Sequence, residues 1–115
     1  MLIINNHDNG PDLTRPELYN FRYSFTGPDN IAPLKVFDDG KFTYFQFADN
    51  NSDLPAIFYV DSDGFEGLIN FRVEGEFVTV ERVNNVFTLR SGTDTVCVFN
   101  ELLGGVTERQ KKGGN

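Results

Sequence analysis

The sequence predicts an all-β fold, an antiparallel β-sandwich of about eight or nine short strands with flexible ends. Three observations predict it. Apolar and polar residues alternate with a period of two along most of residues 19–100. Clusters of Asp, Asn, Gly and Ser recur between the alternating stretches, as turns between short strands require. Before residue 100, no apolar stripe of helical period has a useful length.

The first strand is predicted within residues 19–26. Tyr19, Phe21, Tyr23 and Phe25 alternate with polar residues, which indicates a half-buried strand with an aromatic inner face in the core. Residues 1–18 are rich in Pro, Asn and Gly and are predicted to be a flexible linker. The sandwich domain is assigned to residues 19–101, and residues 102–115 are predicted to be a flexible tail.

Seven further strands are predicted at residues 34–37, 41–47, 56–61, 67–74, 76–83, 86–90 and 95–100. The first two are joined by Asp38-Asp39-Gly40, in which Asp tolerates the early turn positions and Gly40 can adopt a positive φ. The connection from Ala48 to Pro55 is the one longer loop.

Three of these strands are apolar on both faces, which is unusual for an antiparallel sheet that buries one face and wets the other. They are the strand at 41–47, the strand around Phe58 and the strand around Cys97. Such a surface requires a cover, and two covers are possible. Either the N-terminal segment or the C-terminal tail of this chain folds back over the apolar surface, or a partner protein binds there.

The acidic composition argues against nucleic-acid binding. The chain carries 17 acidic and 10 basic residues, a formal charge of −7, so the aromatic strand Lys41–Phe45 is interpreted as core rather than as a base-stacking platform. No apolar run reaches the length of a membrane span. The start has no basic leader before Leu2-Ile3-Ile4, so no signal peptide is predicted, and either a cytosolic protein or an excised domain is expected.

No catalytic residue, metal or cofactor is predicted. Asp61-Ser62-Asp63-Gly64 resembles the opening of a calcium loop, but Phe65 and Arg72 stand where that loop requires an oxygen ligand and a glutamate. The sole histidine, His7, lies in the lead, where it cannot activate Cys97 or a serine. One alternative stays open: a small β-domain with carbohydrate- or metal-assisted hydrolytic activity that uses loop carboxylates such as those of Asp61 and Asp63.

The order of short signatures along the chain resembles the C-terminal domain of the TrbG/TraO/CagX family, the VirB-type outer-membrane core subunit of type IV secretion systems. The signatures are Asn20-Phe21-Arg22-Tyr23, Pro33, Val36-Phe37-Asp38-Asp39-Gly40, Phe42-Thr43-Tyr44-Phe45-Gln46-Phe47, Leu54-Pro55-Ala56-Ile57-Phe58, Val60-Asp61, Gly64, Asn70-Phe71-Arg72-Val73, Gly75, Phe87-Thr88-Leu89-Arg90, Gly92 and Val96-Cys97-Val98-Phe99-Asn100.

This resemblance implies a structural, non-enzymatic β-sandwich in the periplasm, at the inner face of the outer membrane of a Gram-negative bacterium. It implies a short outer-membrane lipoprotein whose extended segment lies along the sandwich, a TrbI/TraF-type core subunit nearby, and a homo-oligomeric ring in the full complex. In some relatives a cysteine of this domain forms a disulfide with the lipoprotein, and Cys97 is the only cysteine here. The family's signal peptide and N-terminal domain are missing, so an excised fragment is expected.

Combining the resemblance with the surplus apolar surface, we predict that the partner pairs with a sheet edge and fills pockets with apolar side chains. The predicted contact residues are Phe42, Tyr44, Phe58, Cys97 and Phe99.

Overall fold

The computed structural model describes residues 10–48 and 54–102, and it confirms the all-β fold class. Within those residues there is one short 3-10 helix, Pro16–Leu18, and no α-helix. The strands are β1 (Tyr23–Thr26), β2 (Lys35–Asp38), β3 (Thr43–Gln46), β4 (Ala56–Val60), β5 (Glu66–Leu68), β6 (Phe71–Glu74), β7 (Phe77–Val80), β8 (Val86–Ser91) and β9 (Asp94–Asn100). They form two antiparallel sheets, which is consistent with an all-β sandwich.

Each sheet belongs to its own compact unit of the chain. One unit holds the four-stranded sheet, in the order β2-β3-β7-β6, together with the segment that ends at Phe21. The other unit holds the five-stranded sheet, in the order β1-β9-β8-β4-β5. The segments of the two units alternate along the sequence, so neither sheet is built from one continuous stretch.

The hairpin of β2 and β3 turns as the Asp-Asp-Gly signal predicts. Gly40 has φ of 94°, a left-handed conformation that glycine adopts without a Cβ clash. The Gly40 N–H donates to Asp38 Oδ1 at 2.9 Å. Asp39 Oδ1 accepts from the backbone N–H groups of Lys41 and Phe42, at 2.9 and 2.8 Å. These side chains therefore satisfy the backbone donors that the turn leaves without ladder partners.

One face of each sheet is largely apolar and buried. In the four-stranded sheet the buried side chains on this face include Val36, Phe45, Val78 and Val80. In the five-stranded sheet they include Ile57, Phe87, Leu89, Val96 and Val98. Aliphatic and aromatic residues at every second position account for this burial, because alternate side chains of a strand share a face.

The predicted strand over residues 19–26 is wrong in its extent. Asn20 exchanges backbone hydrogen bonds with Asp38 of the four-stranded sheet, at 2.8 and 3.0 Å. Tyr23, in contrast, pairs with Asn100 of the five-stranded sheet. The chain changes sheets between these points, so the four alternating aromatic residues do not share one inner face. Phe21 is 40% exposed rather than buried in the core.

The single strand predicted over residues 67–74 is also wrong, because two strands occupy it. Leu68 lies opposite Phe58 in the five-stranded sheet, and Phe71 lies opposite Val80 in the four-stranded sheet. Between them the Asn70 carbonyl accepts the Glu81 N–H at 3.1 Å. Leu68-Ile69 and Phe71-Arg72-Val73, on the two sides of Asn70, both have strand character, so strand propensity did not reveal the break.

The predicted flexible ends fall partly within the described residues. Residues 10–18 contain the 3-10 helix, in which the Leu18 N–H donates to the Arg15 carbonyl at 3.1 Å. Residues 1–9, which include His7 and Leu2-Ile3-Ile4, lie outside the described residues, as do residues 103–115. The predicted domain boundaries therefore stay a prediction.

Candidate partner-binding surface

The five predicted contact residues fall into two separate groups. Phe42 and Tyr44 belong to the unit of the four-stranded sheet, whereas Phe58, Cys97 and Phe99 belong to the five-stranded sheet. The surroundings of the two groups differ, so each group is described by itself.

The group on the four-stranded sheet lies in an aromatic cluster. Phe37 is at its centre, with ring centroids 5.2 Å from Tyr44, 5.7 Å from Phe77 and 5.4 Å from Tyr19. Tyr19 belongs to the segment before β1, and its hydroxyl accepts the Asp12 N–H at 2.8 Å. This face of the sheet is thus covered by a segment of the same chain, which accounts for a strand that is apolar on both faces.

Tyr44 and Phe42 each have a structural role in this cluster. Tyr44 is 7% exposed, and its hydroxyl donates to Asp39 Oδ2 at 2.9 Å. Burial, reinforced by that hydrogen bond to a carboxylate, raises the pKa of Tyr44 well above its ordinary value. Phe42 is half-buried, with the Arg72 guanidinium 5.4 Å from its ring centroid in a cation–π contact.

The group on the five-stranded sheet lies on the face opposite the buried one, here called the open face. Side chains directly opposite each other on neighbouring strands share a face, so the strand register assigns its members. One row contains Val60, Val86 and Phe99, and the next row contains Leu68, Phe58, Thr88 and Cys97. The structure therefore brings three of the five predicted residues together on one face.

The exposure of β9 alternates in step with this register. Val96 and Val98 are fully buried, whereas Cys97 and Phe99, which alternate with them along the strand, are half-buried. Phe58 on β4 is also half-buried, and Leu68 at the end of its row is 83% exposed. The open face is consequently an apolar surface that water reaches.

Strand β1 forms one edge of this sheet beside the open face. Ser24 lies opposite Phe99, and Thr26 lies opposite Cys97. In the described part of the chain, β9 is the only strand that pairs with β1. An edge strand presents backbone N–H and C=O groups on its outer side, where an extended peptide can add.

An ion pair lies on the same face of the sheet. Arg90 Nε donates to Glu66 Oε1 at 2.9 Å, and Arg90 Nη2 donates to Glu66 Oε2 at 2.5 Å. Arg90 Nη1 also donates to Thr95 Oγ1 at 2.9 Å. The hydrogen bond from Arg90 lowers the pKa of the Glu66 carboxyl, and the same bond raises the pKa of Arg90.

Of the loop acids considered for hydrolysis or metal binding, Asp61 stabilises its own turn. Asp61 Oδ1 accepts the backbone N–H groups of Asp63 and Phe65, both at 2.9 Å. Among residues 10–48 and 54–102, His, Cys, Asp and Glu side chains form no group of three or more that could hold a metal ion. The same residues include no helix long and apolar enough to cross a membrane.

Several members of the open face were missed by the sequence reasoning. Val86 and Thr88 were within a predicted strand, and their alternation with Phe87 and Leu89 could have placed them on the face of Phe58 and Phe99. The pairing of Glu66 with Arg90 had no local signal, because the two residues are 24 positions apart.

Comparisons with known proteins identify the family of this chain. Residues 4–101 match the CagX family, described as conjugal transfer protein. The chain is 40% identical over 82 residues to the type IV secretion system protein virB9 of Bartonella quintana, covering 71% of this chain and 28% of that protein. It is 34% identical over 94 residues to virB9 of Agrobacterium fabrum, covering 82% and 32%.

A third relative, the type IV secretion system protein PtlF of Bordetella pertussis, is 35% identical over 85 residues, covering 71% of this chain and 31% of PtlF. The chain thus spans about a third of the length of these relatives or slightly less. The family match covers most of the chain. The chain belongs to the CagX family of conjugal transfer proteins, which the virB9 and PtlF relatives connect with type IV secretion.

Proposed function

We propose that this domain is a structural component of the outer-membrane core of a type IV secretion or conjugation system. Its site would be the periplasm, at the inner face of the outer membrane, within a ring that also contains a TrbI/TraF-type subunit. Family membership supports a secretion role. Asp61, the best-placed loop acid, caps its own turn, so no observation favours the hydrolytic alternative.

The domain holds an extended segment of a short lipoprotein on the open face. The observation that carries this proposal is the exposure of Phe58, Cys97 and Phe99, which form a continuous apolar surface of the five-stranded sheet. Aromatic side chains in such a surface supply large contact areas for a partner. Phe42 and Tyr44, in contrast, already pack inside their own unit.

The edge strand β1 completes the docking site. A segment that pairs with the outer edge of β1 would lie two strands away from Cys97 and Phe99. Backbone pairing would supply the orientation of the segment, and the part of the segment beyond the pairing would cross the open face. Cys97 is half-buried on this face, and a disulfide to the segment would require a cysteine in the part of the segment that crosses the face.

A charge placed in the centre of the surface tests the proposal. We expect Phe99→Glu to weaken binding of a synthetic peptide, taken from the mature N-terminal region of the system's short lipoprotein, by at least about tenfold, because truncating central aromatic contacts typically costs more than about 1 kcal/mol. Isothermal titration calorimetry measures the affinity, and a denaturation curve shows whether the variant remains folded.

The matched control is Leu34→Glu, which places the same charge at an exposed apolar residue of the other unit. Its affinity should equal that of the wild type. Equal affinities for the wild type and a folded Phe99→Glu variant would place the docking site elsewhere, and loss of binding in Leu34→Glu alone would point to the four-stranded sheet.

A further inference from the structure

The ion pair of Glu66 and Arg90 crosses the open face above the row that contains Phe58. Glu66 lies opposite Val60, and Arg90 lies opposite Ala56, so the two charged residues flank the row of Phe58 from opposite sides. They stand on β5 and β8, the two neighbours of β4. Because their side chains meet at 2.5 to 2.9 Å, the bridge must pass over β4, above Phe58 and Thr88.

Thr88 has the low solvent exposure expected of a residue beneath this bridge. It is 6% exposed although it belongs to the open face, where Phe58 and Cys97 on either side are half-buried. Its Oγ1 is buried and makes no hydrogen bond of good geometry within the described residues, although the hydroxyl lies near enough to Glu66 to help lower the pKa of that carboxyl. A buried hydroxyl whose hydrogen bond has poor geometry is costly, so this part of the face is incompletely satisfied.

The bridge is bidentate, and both of its side chains are partly exposed. The side chains of Arg90 and Glu66 are 47% and 26% exposed, and exposed ion pairs contribute little to stability because water and salt screen them. The bridge therefore lies over this part of the face as a contact that water and salt weaken.

We infer that Glu66 and Arg90 form a strap that competes with the partner for the Phe58–Thr88 part of the docking surface. This inference rests on the proposed function. When the lipoprotein segment binds, the strap opens, an apolar side chain of the segment packs on Phe58, and a backbone carbonyl of the segment accepts a hydrogen bond from Thr88 Oγ1. The segment thus gives the Thr88 hydroxyl an acceptor of good geometry.

Removing the strap's negative charge tests this competition. We expect Glu66→Gln to bind the lipoprotein peptide more tightly than the wild type, by roughly two- to fivefold, since only the small contribution of an exposed ion pair is removed. The difference should disappear near 1 M salt, where the bridge is already screened. Arg90→Gln provides a second, independent opening of the strap.

The matched control is Glu81→Gln, which removes an exposed ion pair of 2.6 Å with Arg72 in the four-stranded sheet. It should leave peptide affinity unchanged. Equal or weaker binding by both Glu66→Gln and Arg90→Gln, with the fold intact, would overturn the strap, since its removal would then give the partner no advantage.

Hydrogen exchange at Arg90 Nε distinguishes a failure of the strap from a failure of the docking proposal. In the free protein the Arg90 Nε–H should exchange slowly with water, because it donates to Glu66, and peptide binding should make it exchange quickly. If the peptide shifts the amide signals of Cys97 and Phe99 while Arg90 Nε–H stays protected, the strap is refuted and docking stands. If the peptide binds neither the wild type nor Glu66→Gln, both proposals fail.

Discussion

Tyr44 combines a buried ring with a hydroxyl that donates to a carboxylate. Its ring packs on Phe37, and its hydroxyl donates to Asp39, the residue that also organises the β2–β3 turn. One side chain thus ties the aromatic cluster to the turn that the sequence predicts. The alternation of side chains predicted that Tyr44 lies on a strand that is apolar on both faces. It could not predict that Tyr19 covers Tyr44, because these residues are 25 positions apart in the sequence.

Tyr44→Phe should remove this hydrogen bond while keeping the ring. We expect a loss of about 0.5–1.5 kcal/mol in the free energy of unfolding near neutral pH. The folded-state pKa of Tyr44 is raised above the ordinary value of 10.0, so the hydroxyl contributes its stability fully below pH 10.0 and loses it progressively at higher pH.

The stability difference between the wild type and Tyr44→Phe should therefore narrow as the pH rises above 10.0. Urea unfolding at a series of pH values from neutral to alkaline measures this difference. A difference that stays constant across the series would show that Tyr44 ionises alike in the folded and unfolded states, contrary to its burial beside Asp39.

Elements with local signals were predicted well, and those decided by distant pairing were not. The β2–β3 hairpin follows from Asp39 and Gly40, whose chemistry needs no other part of the chain. The change of sheet near Phe21 and the break after Leu68 depend on which strands pair with the residues before and after each point. Strand propensity is equal on both sides of such a break, so the sequence shows one strand where the structure has two.

Backbone atoms of β9 approach Gly27 closely just after the end of β1. Gly27 has φ of 137°, and a Cβ there would lie 2.6 Å from the Thr95 carbonyl oxygen and 2.9 Å from the Val96 Cα. We expect Gly27→Ala to destabilise the fold by about 2–4 kcal/mol, combining overpacking with a backbone conformation that alanine disfavours. The shift in the denaturation midpoint measures this cost.

Gly92→Ala is the matched control for this substitution. Gly92 also has a positive φ, of 62°, but a Cβ there meets nothing within 4 Å. Its cost should be limited to the backbone term, about 1–2 kcal/mol. If both variants lose equal stability, the close approach of Gly27 to β9 contributes nothing to the cost of Gly27→Ala.

At the scale of the whole molecule, the alternation of segments between the two units makes each sheet dependent on sequence from distant parts of the chain. The all-β class was predictable because period two and turn chemistry recur along most of residues 19–100. The candidate site was predictable in part. Phe58, Cys97 and Phe99 share one face, whereas their neighbours Glu66 and Arg90 could be assigned only from strand register.

The central claim is that the open face and edge strand β1 hold the lipoprotein segment. Hydrogen–deuterium exchange of the whole chain, with and without the lipoprotein peptide, tests it most directly. We predict slower exchange on binding in the outward amides of β1 and in the segments around Phe58 and Phe99, with no change in β2, β3, β6 and β7. Protection confined to the four-stranded sheet or to residues 10–21 would contradict the claim.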